Sequence, residues 1–246
     1  MGCISPGNFE LMEEAAELCK FPEGAKILDE GCGEGDTLAF LEKTLGICGT
    51  GIDISAELLD KGKEKYPALD LRRGEMEMLE FPSCTFDGVI MECTLSLSVL
   101  QPEALHEAWC VLKKGGWLIV TDLYDRNPDP AEFARARQEA MAAHAKPHEK
   151  GDCERDRETP SEYCLNGVFV KEALLEACAE TGFEVAAWRD KTSFLRDFAA
   201  GKIFEHGSME AYWKSVLPEG AEPSRFCKAD AGGNLGYFLM VLRKGQ

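Results

Sequence analysis

The residues best placed to do chemistry in this chain are acids at the ends of apolar runs. Asp29 stands near the end of AKILDE (25–30) and is followed by GCGEG, with glycines at 31, 33 and 35. Asp53 ends a second apolar run, ICGTGIDIS (47–55), and Glu75 follows a third, in RRGEMEMLEFP (72–82). A glycine loop between a first strand and a first helix lets the backbone come close to a ligand. An acid about 20 residues further on, at the tip of the second strand, is placed to accept hydrogen bonds from two ribose hydroxyls. Glu75 would accept from an adenine amino group, with Ile54 and Met76 against the ring faces. The loop is GCGEG rather than GxGxxG, it lacks the GKS or GKT of a phosphate loop, and an acid comes just before it. A negative turn disfavours a pyrophosphate and favours a nucleoside bearing positive charge, as in S-adenosylmethionine. The competing reading is that the glycines serve only a tight turn.

These acids need strands to carry them. Up to about residue 125 the chain alternates strand-like and helix-like segments, the pattern of a parallel sheet with helices on both faces. Helical apolar spacing covers 8–20. AKILDE is the first strand and DTLAFLEKTL (36–45) the first crossover helix. Ser55 caps a helix over 56–66, and strands follow in ALDLRRG (68–74), FDGVIME (86–92) and GGWLIVTDLY (115–124). A helix over 102–114 stops at Gly115–Gly116. Residues 126–162 are charged, alanine-rich and framed by prolines, which reads as an exposed helix and polar loop inserted above the sheet. A helix is expected over 168–182, a strand over 183–190, helices over 192–203 and 208–217, and a last strand over 236–244. The expected fold is α/β: a Rossmann-like, doubly wound, mainly parallel seven-stranded sheet, one domain over 1–246 with a helical lid at about 126–162.

Composition narrows the partners. The chain has 246 residues, 45% hydrophobic and 29% charged, with a formal charge of −17. Such acidity argues against nucleic acid and anionic membrane as partners, because phosphates are held mainly by Lys and Arg. No apolar run approaches the roughly 18–20 residues of a membrane span, and the start MGCISPGNFE has no secretory character. A cytoplasmic protein acting on a small molecule is expected, its oligomeric state left open. The eleven cysteines form no CxxC pair, so free thiols are expected and no metal site.

Four stretches, ILDEGCGEGDTLAFL, GIDIS, GEMEMLEFPSCTFDGVIMECTLS and AWCVLKKGGWLIVTDLY, resemble the class I S-adenosylmethionine-dependent methyltransferases of the type-11 group, in order and spacing. The resemblance covers 26–123 and implies methyl transfer to a small molecule. It implies cofactor contacts from Asp29, Gly31, Cys32, Gly33, Asp53, Ile54, Glu75, Met76 and Glu92, with SPGN (5–8) closing over the methionine end. A further stretch, EYCLNGVFVKEALLEACAETGFEV, is similar to arsenite methyltransferases. That similarity implies a soft, thiophilic acceptor held by thiolates, with Cys164 at the place of one thiolate and Cys227 matching another; the family's cysteine just after the glycine loop is replaced here at about Thr37, and Cys93, at the end of the fourth strand, or Cys32 in the loop is the substitute. Two alternatives stay open: methylation of an organic oxygen, nitrogen or carbon centre, and a protein that binds the cofactor without transferring methyl. Each cysteine also has a plainer reading as a small buried hydrophobe. His144 and His148, spaced i, i+4, and His206 are weaker candidates for a metal or a general base, and the aromatics Phe194, Phe198, Phe204, Tyr212 and Trp213 recur at helical spacing.

Overall fold

The computed structural model describes residues 5–7, 9–98, 100–144, 163–165, 168–216 and 234–245. Helix α1 (Glu10–Cys19) precedes strand β1 (Lys26–Glu30), α2 (Asp36–Leu45), β2 (Cys48–Asp53), α3 (Ala56–Lys65) and β3 (Asp70–Arg73). Strand β4 (Phe86–Glu92) leads through a 3-10 turn at Leu95–Leu97 into α4 (Gln101–Val111), β5 (Leu112–Asp125) and α5 (Pro130–His144). A short pair, β6 (Cys164–Leu165) and β7 (Val168–Val170), is followed by α6 (Lys171–Thr181), β8 (Phe183–Asp190), α7 (Thr192–His206), α8 (Met209–Val216) and β9 (Leu235–Lys244).

Strands β3, β2, β1, β4 and β5 lie side by side in parallel, and antiparallel β9 slots between β5 and the edge strand β8. Those are the seven long strands expected. Among the described residues the sheet nevertheless has nine, because the β6–β7 hairpin hangs on the far end of β5 through Tyr124↔Phe169 and Asp125↔Val170. Residues 168–170, expected to open a helix, are instead strand β7: Val-Phe-Val is a fully buried β-branched and aromatic run, and α6 begins only at Lys171. The fourth helix likewise ends early, at Val111. Leu112 already pairs with Phe86 on β4, and Lys113 is held by Asp87 at 2.8 Å.

Alternation along the strands splits the core in two. Leu28, Val89, Met91, Leu118, Val120, Phe238 and Met240 face one layer, with α4 and α6. Ile27, Ile90, Ile119, Tyr237, Leu239 and Val241 face the other, with α1 and α2. Ser55 caps α3 by accepting from Leu58 N, as its position predicts. No described helix is long and apolar enough to cross a membrane. Helix α5 occupies the first part of the expected lid; residues 145–162, with His148, lie outside the described residues.

Candidate functional site

The carboxyl ends of β1, β2 and β4 converge, and register fixes which side chains meet there. Asp29 pairs with Gly51 on β2 and with Ile90 on β4. Asp53 and Glu92 lie two residues beyond those partners, so all three carboxylates stand on the same face of the pleat. Asp29 is buried, and Glu92 is enclosed by two hydroxyls: Ser5 Oγ donates to its Oε1 at 2.5 Å and Thr37 Oγ1 to its Oε2 at 2.8 Å. Asp53 accepts from Gly33 N (2.9 Å) through one oxygen and from Ser55 N (2.8 Å) through the other. Burial pushes the Asp29 carboxyl well above the usual range, and the neighbouring Glu92 and Asp53 add to the rise. Glu92 is also raised, by desolvation that outweighs the two hydroxyl donors.

The glycine loop has two jobs. Gly31 turns at φ +82°, where a Cβ would lie 2.2 Å from Thr94 Cγ2, so packing of the protein against itself dictates that glycine. Gly33, at φ +54°, faces open space. Four of the five loop amides are already committed: Gly31 and Cys32 donate to Ile52 O, Gly33 to Asp53 and Gly35 to Cys32 O. Those amides are therefore not available as a phosphate cradle. The outer acids of the loop, Glu34 and Asp36, are paired with Lys65 at 3.3 and 2.6 Å. Among the described residues no Lys, Arg or His pairs with Asp29, Asp53 or Glu92. Concentrated negative charge beside an open glycine is suited to a cationic ligand.

Beyond β2 and β3 the surface turns apolar. Ile54 is 56% exposed and Met78 65%, while Met76 packs partly onto the core. Glu75 is exposed on the turn that its carbonyl closes by accepting from Met78 N at 3.2 Å.

The predicted sulfur cluster is not brought together among the described residues. Cys164, on β6, is buried in one core with Phe169 and takes a contact from Gln101 Nε2 at 3.6 Å. Cys93 packs against the opposite core in a left-handed backbone (φ +56°), its Sγ 3.0 Å from Tyr237 Oη, and that hydroxyl is also 3.0 Å from Thr121 Oγ1. Cys227 lies outside the described residues. Burial, with Asp29 and Asp53 nearby, pushes the Cys32 thiol up, which keeps it protonated. No described group of three His, Cys, Asp or Glu is arranged to hold a metal.

Residues 27–116 match the sequence model of a family described as a methyltransferase domain. Over that stretch the chain resembles a methyltransferase domain. The phosphatidylethanolamine N-methyltransferase of Cereibacter sphaeroides is 32% identical over 126 residues, which are 47% of this chain and 61% of that protein. The chain spans less than two thirds of the length of the curated relatives it matches. Among solved structures, a Haemonchus contortus phosphoethanolamine N-methyltransferase with phosphomonomethylethanolamine and S-adenosylhomocysteine aligns with TM-score 0.69 at 15% identity, covering 100% of this chain and 55% of that one. The cyclase SpnF aligns with TM-score 0.68 at 20% identity, covering 99% and 88%.

Around this site, sequence reasoning missed Ser5 and Thr37 as partners of Glu92, and Tyr237 as a partner of Cys93. Thr37 could have been found from its place one residue into α2, beside the loop. Tyr237 could not, because only the register of β9 brings it there. It also missed Glu30, which alternation with Asp29 sends to the opposite face. There it is fully buried, and neither carboxyl oxygen has a hydrogen-bond partner.

Proposed function

We propose that the chain binds S-adenosylmethionine at the carboxyl edge of β1, β2 and β4 and transfers its methyl group to a small-molecule acceptor. The single observation that carries this reading is the trio Asp29, Asp53 and Glu92 on one sheet face, unbalanced by any described cation, beside a loop with four of its five amides already used. That donor set fits a cationic nucleoside and disfavours a dinucleotide pyrophosphate.

In this reading the cofactor, when bound, supplies an electrophilic methyl on a positively charged sulfur. Asp53 accepts from the ribose, and its bond to Gly33 N holds the loop for that contact. Glu75 accepts from the adenine amino group, with Ile54 and Met76 covering the ring. Asp29 and Glu92 balance the positive end, and the hydroxyls of Ser5 and Thr37 orient Glu92. Residues 126–162 form the lid of a single domain; in support, α5 begins just beyond the carboxyl end of β5, and its Phe133 and Ala136 pack onto the adjacent core.

The acceptor we favour is a small organic molecule, as in the relatives named for phosphoethanolamine and phosphatidylethanolamine. An arsenite-like acceptor draws no support from the sulfurs, since Cys164 and Cys93 sit in separate cores. The test is calorimetric titration with S-adenosylmethionine, followed by assay for S-adenosylhomocysteine with a panel of amino-alcohol, phenol and quinol acceptors and with arsenite. Binding with turnover on an organic acceptor supports the reading. Binding with no turnover on any acceptor would favour a non-transferring protein, a reading to which the shared fold of a cyclase lends weight. No binding would end the cofactor assignment.

A further inference from the structure

We propose that cofactor binding at this site is coupled to proton release: Asp29 and Glu92 together retain a proton in the free protein and surrender it to solvent when a positively charged ligand docks, so that the pair selects ligands by charge. The inference rests on the cofactor reading above.

The geometry gives the reason. Asp29 and Glu92 sit on adjacent parallel strands, on the same face and two residues apart in register, where side chains on neighbouring strands are within mutual reach. Two carboxylates sharing an enclosed site cannot both ionise freely.

Among the described residues, every element around the pair adds an acid or a neutral group. Strand β2 contributes Asp53, and β1 contributes Glu30 from its other face. The loop contributes Cys32, the N-terminal segment Ser5, and α2 Thr37. Strand β4 adds Cys93, and β9 adds Tyr237, whose hydroxyl burial pushes well up, with Cys93 and Glu92 adding to the rise. Lys65, at the end of α3, is committed to Asp36 and Glu34. Among the described residues the pair thus lacks a counter-charge, and a bound proton is the available substitute. The upward displacement of both carboxyls, described above, agrees with that arrangement.

A ligand cation placed against the pair does the proton's work. Binding then releases the proton to buffer, and charge is conserved. A neutral nucleoside gives the carboxyls no reason to ionise and leaves the proton where it is. Linkage sets the consequence: for each proton released, affinity for the cation falls by up to about tenfold for every pH unit lowered through the range where the free pair is protonated.

The experiment is calorimetric titration of the full chain at about pH 5.5–6.5, below the range in which the ligand's own α-amino group titrates. It uses two buffers of different ionisation enthalpy. The probes are S-adenosylmethionine and the neutral thioether methylthioadenosine. The expected result is buffer-dependent heat showing proton release for the first and none for the second. Glu92→Gln should lower the proton count and flatten the pH dependence of affinity. If that variant does not fold, the comparison of the two ligands on the wild type stands alone. Buffer-independent heat with S-adenosylmethionine would overturn the coupling, as would equal proton release by both ligands. Failure of S-adenosylmethionine to bind at any pH is a separate outcome, which removes the cofactor reading and the inference with it.

Discussion

Glu30 offers the sharpest test of the physical reasoning. Its carboxyl is fully buried, neither oxygen has a hydrogen-bond partner, and Asp29, Glu77 and Glu107 all bear on it. Burial first, and then those three acids, push it well above the usual range, so the fold keeps it protonated. In the unfolded chain it ionises near 4.5. The folded state therefore holds a proton that the unfolded state loses. Stability is least affected below that value and declines as pH rises, until the fold itself releases the proton. The cost grows by up to about 1.4 kcal/mol per pH unit over the range in which only the unfolded chain ionises. Glu30→Gln keeps the shape and removes the titration. It should be near neutral below about pH 4.5 and increasingly stabilising as pH rises above that, by up to about 1.4 kcal/mol per unit. Glu30→Leu also removes the unpartnered polar group, worth roughly another 1–2 kcal/mol at either pH. Urea unfolding of the three proteins at several pH values measures both effects. A Glu30→Gln variant whose advantage over wild type does not grow with pH would refute the argument.

Three further outcomes follow from the packing. Gly31→Ala places a methyl 2.2 Å from Thr94 Cγ2 in a left-handed backbone and should destabilise by about 2–4 kcal/mol in thermal melts; adding Thr94→Ser should recover part of that loss. Lys244, buried at the end of β9, donates to Trp109 O (2.6 Å) and Leu112 O (2.7 Å) at the end of α4. Lys244→Met should cost about 2–4 kcal/mol in urea unfolding by orphaning those carbonyls. Cys164→Ala, deep in its own core, should lower stability by roughly 1 kcal/mol while leaving the titration heat with S-adenosylmethionine unchanged; a loss of binding would return that sulfur to the site.

Local signals carried much of this architecture. The asparagine-free, acid-rich turn after AKILDE, the Ser55 cap and the 36–45 crossover are each written in adjacent residues, and each appears where its pattern places it. The misread segments are those where two elements abut without punctuation. Val168–Val170 runs straight into Lys171, and Leu112–Lys114 straight out of α4, so apolar content alone assigns them to the helix. The site divides in the same way. Asp29, Gly33 and Asp53 are legible because strand ends and glycines mark them. The hydroxyls that hold Glu92 come from residues 5 and 37, and the phenol beside Cys93 comes from residue 237, contacts set by long-range register. Cys164 and Cys93, expected to share a thiolate set, lie in separate cores, and a cysteine in an apolar pattern looks the same in sequence whether it packs or reacts.

The position of β9 has a consequence for how the protein is made. β5 is a 14-residue strand, and its partner on that side is built from residues 235–244. On a ribosome roughly a hundred more residues must emerge before that partner exists, a wait of about 5–20 s at ordinary elongation rates. For that interval a long apolar edge is open to pairing with other nascent chains. Truncated translation products ending before residue 235 should be caught by chaperones or aggregate, even though they contain every acid of the proposed site.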